Sequence, residues 1–94
     1  MNTDPAWLSA YYDAILTCVV RYREMAEGMP DLLSFLDEFK RDVPIVKLSR
    51  WLGYIQGVLI ERGVTTVTIE RDATRVLFRP LDFAVPLKEP HADD

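Results

Sequence analysis

Ser49-Arg-Trp-Leu-Gly-Tyr-Ile-Gln-Gly57 and, one short turn later, Thr66-Val-Thr-Ile-Glu-Arg-Asp-Ala-Thr-Arg75 decide the fold of this chain. Around the first stretch, Ile45, Leu48, Leu52, Ile55 and Leu59 recur at spacings of three and four, which predicts a helix over about 45–62 with one apolar face. Val46, Ser49, Gly53, Gly57 and Ile60 make a second face of smaller residues. Glycine inside a helix costs about 0.8–1 kcal/mol relative to alanine. Gly53 and Gly57, four apart, are therefore expected to mark close packing or an interface, where another backbone or a ligand comes near.

Gly63 closes this helix, and Thr65 and Thr66 offer an N-cap for the next element. Two readings compete from there. Ile69, Ala73, Val76 and Leu77 fall on one narrow helical face, which predicts a helix over about 66–77. Val64-Thr-Thr-Val-Thr-Ile is also rich in β-branched residues, so an α+β alternative has a hairpin over 64–79. The helix is the preferred expectation.

Upstream, Asp4 as N-cap, Pro5 in the first turn and Gly28 past the end frame a helix over about 5–27. Leu8, Tyr12, Ile15, Val19, Tyr22 and Ala26 form its apolar stripe, widened by Trp7, Tyr11, Cys18 and Met25. A shorter helix is expected over about 31–41, stopped by Pro44. Pro80, Pro86 and Pro90 predict that the helical part ends near Phe78. Residues 79–94 then read as an extended arm, apolar at Leu81, Phe83, Val85 and Leu87, with a disordered tail. The expected class is all-α: a bundle of about four helices in a single domain.

The 94 residues carry 11 basic and 15 acidic side chains, a net charge of −4. Such a balance gives no broad field for phosphate backbones, so nucleic acid is not an expected partner. No apolar run is long enough to cross a membrane, and the first residues lack the pattern of a secretion signal. The expected location is the cytoplasm. Cys18 is the single cysteine and is expected to pack inside the first helix rather than bind metal. His91 is the single histidine and lies in the tail, and no pair of carboxylates occupies an apolar position. These features point away from an enzyme, and neither a cofactor nor a metal is expected.

Arg71 and Arg75 stand at i and i+4, a spacing at which like charges repel unless an anion intervenes. They read either as salt-bridge partners of Glu70, Asp72, Glu61 or the second helix, or as a contact site. As candidates for binding a partner or an anion we take Arg50, Trp51, Tyr54, Gln56, Glu70, Arg71, Thr74 and Arg75. A nucleotide would meet the arginines with its phosphates, stack on Tyr54 or Trp51, and present its edge to Gln56. A helix-turn-helix reading would use residues 66–77 for recognition, although Glu70 and Asp72 disfavour it.

Arg50-Trp-Leu-Gly-Tyr, Gln56-Gly-Val-Leu59, Thr66 and Glu70-Arg-Asp, Thr74-Arg75 and Leu77-Phe78 resemble a family of short, mostly uncharacterised bacteriophage and prophage proteins. The resemblance covers about a third of the chain and does not reach the first helix. The family often has proline after the second arginine, where this chain has Val76. The resemblance implies a phage-type accessory protein that binds a host protein complex in the bacterial cytoplasm. Inhibition of a host defence, such as an anti-CRISPR or other anti-defence action, or of a regulatory complex is the expected mode. A homo-oligomer is expected, because the apolar faces exceed what one thin core covers.

Overall fold

The computed structural model describes residues 4–82. Four helices follow in order: α1 Pro5–Met25, α2 Pro30–Leu36, α3 Ile45–Glu61 and α4 Val67–Asp82. Among the described residues there is no strand, so the hairpin alternative falls and the class is all-α.

The helix ends follow local chemistry. Asp4 accepts the Ala6 N–H at 2.9 Å, and Pro5 takes the first turn of α1. Gly63, at φ +78°, closes α3 in the left-handed region. Its N–H donates to the Ile60 carbonyl and that of Val64 to the Leu59 carbonyl, the paired bonds of a Schellman cap. Thr66 Oγ1 accepts the Ile69 N–H at 3.1 Å to start α4.

α1 is the central element, with α2, α3 and α4 packed on it. Tyr12 donates to the Val43 carbonyl just before α3, and Gln56 of α3 reaches Tyr22, so α3 runs in the direction of α1. Trp7 Nε1 donates to the Leu81 carbonyl at 2.8 Å while Arg21 meets Glu70, so α4 runs the opposite way. The core comprises Ile15, Cys18, Val19, Tyr22 and Ala26 of α1 and its end, Leu32, Leu36 and Phe39 around α2, and Ile45, Leu48, Leu52, Ile55 and Leu59 of α3. The α3 set is the apolar face read from the sequence. Cys18 is buried as expected, and that burial pushes its thiol up to about 11, with nearby Glu70 adding and Arg21 opposing.

Three expectations change. The second helix stops at Leu36 rather than near 41, because the chain turns at Asp37 and Glu38 to bring Phe39 into the core at 6% exposure. Arg41, beyond the end of the helix, pairs with Asp13 of α1. The expected arm does not begin at 79: α4 passes through Pro80 to Asp82. A proline removes the bond to the carbonyl four residues back. Here that carbonyl belongs to Val76, which is 75% exposed, so the lost bond falls on the solvent side of the helix. The Trp7 bond to Leu81 and the tilted stacking of Tyr11 on Phe78, 5.1 Å between centroids, hold the last turn. The remaining arm positions, Phe83, Val85 and Leu87, and His91 lie outside the described residues.

Third, α4 is rotated from the face read in its sequence. Its inner side carries Glu70, Ala73, Thr74, Leu77 and Phe78, while Ile69 and Val76 are exposed. The polar network described next sets this rotation.

Candidate functional site

Glu70 is 3% exposed, the least expected position for an acid in so small a domain. Arg21 clasps both its oxygens, Nη1 to Oε1 at 2.7 Å and Nη2 to Oε2 at 2.9 Å. Tyr22 Oη donates to Oε1 and Thr65 Oγ1 to Oε2, both at 2.6 Å. Gln56 Nε2 in turn donates to Tyr22 Oη at 2.8 Å, so α1, α3 and α4 share one network. Burial works to raise the Glu70 carboxyl, but the bonds from Arg21, Thr65 and Tyr22 outweigh it and hold the group down at about 2. Tyr22 is pushed up, by burial first and by Glu70 second. No buried side-chain N or O among the described residues lacks a partner. Glu70 therefore works inside the protein, which corrects its reading as a surface contact residue, while the half-buried Gln56 ties α3 into the network.

The remaining candidates fall into two places rather than one. Trp51 and Tyr54 turn toward α2. Phe35 lies 5.4 Å from Trp51 and 5.5 Å from Tyr54, and these rings with Asp31 and Leu32 line an open cleft of about 530 Å³. Asp31 there is held by Arg62 at 2.8 Å, which lowers its carboxyl, and Lys47 sits 5.4 Å over the Trp51 ring.

On the opposite flank, α3 and α4 diverge over α1 and leave a groove of about 240 Å³. Tyr11 and Ile15 form its floor, Ser49, Leu52, Gly53 and Gln56 one wall, and Thr74, Phe78 and Asp82 the other. Thr74 Oγ1 donates to the Glu70 carbonyl at 2.8 Å and Ser49 Oγ to the Ile45 carbonyl at 2.9 Å. Asp82 accepts from Tyr11 at 3.5 Å, and burial raises its carboxyl against that bond.

The side chains of Arg50, Arg71 and Arg75 are exposed and form no ion pair or hydrogen bond with another described residue. The salt bridges expected between the arginine pair and Glu70 or the second helix are not made, because Arg21 has taken Glu70 and Arg62 has taken Asp31. Gly53 and Gly57 are also corrected as close-packing positions within the chain. A Cβ built on either meets nothing within 4 Å. Their helix cost has no packing compensation among the described residues. Arg21, Tyr22 and Thr65 are the residues that sequence reasoning missed. The available signal was Thr65-Thr66 before Glu70, a threonine pair placed to cap a helix and reach back toward an acid.

Among the described residues, no group of three His, Cys, Asp or Glu side chains is placed to hold a metal ion, and no helix is long and apolar enough to cross a membrane. Comparison with protein-family models, curated proteins and solved structures gives no match.

Proposed function

We propose that this chain is a phage-type accessory protein, not an enzyme, that acts by protein–protein contact and inhibits a host defence or regulatory complex in the bacterial cytoplasm. The phage origin rests on the sequence resemblance. The contact mode rests on one observation: the side chains of Arg50, Arg71 and Arg75 stand exposed and without a partner among the described residues, and two helix glycines, Gly53 and Gly57, face open space. Arginine and aromatic residues dominate the energetic centres of interfaces. The aromatic cleft of Phe35, Trp51 and Tyr54 adds a second contact area across α3. A nucleotide site would need the stacking rings and the arginine pair together, whereas Trp51 and Tyr54 face α2 and the groove wall faces α4. Self-association belongs to the same reading, through the exposed Ile69 and Val76 on the other flank of α4.

The test is Arg71→Ala with Arg75→Ala. Both side chains are exposed, so helicity should persist while affinity for a partner captured from host lysate falls by at least ~2 kcal/mol, about 30-fold. Unchanged affinity in the folded double variant would sink the reading. Light scattering on the parent reads its mass, and a monomer of 10.8 kDa at high micromolar concentration removes self-association.

A further inference from the structure

α4 carries two apolar stripes, and the core takes only one. Leu77 and Phe78 lie on the inner side and pack against the core. Ile69, Ala73, Val76 and Pro80 follow one another at spacings of four, three and four, the spacing of a helix-pairing seam. This second stripe runs along the flank of α4 for about 16 Å, three helical turns. Ile69 is 51% exposed and Val76 75%. The stripe cannot turn inward, because rotating α4 would pull Glu70 away from Arg21, Tyr22 and Thr65. Asp72 and Arg79, seven apart and both exposed, lie along one margin of it.

We infer that α4 of a second copy of this chain covers the stripe, packed antiparallel about a twofold axis. This pairing rests on the self-association proposed above and supplies its geometry. The order of charges along the margin selects the occupant. The acid stands in the N-terminal half of α4 and the arginine in the C-terminal half. Antiparallel packing sets Ala73 against Val76, and Ile69 against Pro80, of the second copy. In that register Asp72 of each copy meets Arg79 of the other, so the ion pair forms twice. A parallel pair would instead set acid on acid and arginine on arginine. A margin complementary to its own reverse fits a second copy. Three turns make a small interface, so the dimer is weak and forms with rising concentration.

Sedimentation equilibrium of the full chain over a micromolar concentration series should show monomer and dimer in exchange. Val76→Glu puts a charge into the seam, and Asp72→Arg sets arginine against arginine. Each should weaken the dimer by at least about tenfold. Asp72→Arg with Arg79→Asp reverses both charges and should restore it, which parallel pairing would not allow. The three positions are exposed, and circular dichroism should show every variant folded. A parent that stays monomeric throughout overturns the inference. So does a dimer that Val76→Glu leaves intact, or one that the double reversal fails to restore; self-association then stands without this geometry. Loss of the captured host partner in Val76→Glu also overturns it, because another protein then covers the stripe. Capture by Arg71→Ala with Arg75→Ala is read separately, so failure of the contact reading leaves the dimer in place.

Discussion

Replacing Glu70 with alanine is expected to destabilise the fold by about 3–5 kcal/mol, the range for breaking a buried, hydrogen-bonded ion pair. The carboxylate is 3% exposed and receives bonds from Arg21, Tyr22 and Thr65. Its removal leaves the buried Tyr22 and Thr65 hydroxyls without their acceptor and leaves Arg21, about one-third exposed at its side chain, with its charge unmatched. In a domain of this size the loss amounts to a fall in melting temperature of about 15 °C or more. Glu70→Gln keeps the shape and part of the bonding and should fall between parent and alanine. A melting temperature for Glu70→Ala within about 2 °C of the parent would show that the network does not anchor α4.

Acid should reproduce much of that loss without a mutation. The Glu70 carboxyl sits at about 2 in the folded protein against an ordinary value of 4.5. The unfolded chain therefore binds the proton first as pH falls. The stabilisation is fully present above about pH 4.5 and is lost progressively as pH drops toward 2. The shift corresponds to about 3 kcal/mol at most. Asp31, lowered by its exposed pairing with Arg62, contributes in the same direction, while Asp82, raised by burial, contributes in the opposite one. Comparing urea unfolding of the parent and Glu70→Gln between pH 5 and pH 2.5 isolates the Glu70 share. The parent curve should decline more steeply. Parallel curves would contradict the assignment.

The same residue explains how much of the structure the sequence disclosed. Helix ends were readable because caps are local: Asp4, Gly63 and Thr66 each act within a few residues of themselves. The buried face of α3 was readable because its five apolar residues share one period and no polar residue competes for that face. α4 was readable as a helix but not in its rotation. Periodicity ranks Ile69 and Val76 as inner residues and Glu70 as an outer one, and the structure reverses them. The deciding term is a bond across 49 positions, from Arg21 to Glu70, which no local pattern expresses. Pro80 misled for a related reason, since its cost was set by where its lost partner, Val76, faces. Among candidate site residues, Arg50, Arg71 and Arg75 were found as exposed cations. Their separation from the rings of Trp51 and Tyr54 depended on which neighbour each side of α3 faces.

The central claim is that the partner contacts the α3–α4 edge where Arg50, Gly53, Gly57, Arg71 and Arg75 lie. Hydroxyl-radical footprinting of the protein, alone and bound to its captured partner, tests it most directly. Val46, at 46% exposure, and Phe78 report on that edge, while Phe35, Trp51 and Tyr54 report on the aromatic cleft. The account predicts protection of Val46 and Phe78 on binding. Protection confined to Val20, Ile69 and Val76, with Val46 and Phe78 as reactive as in the free protein, would contradict it.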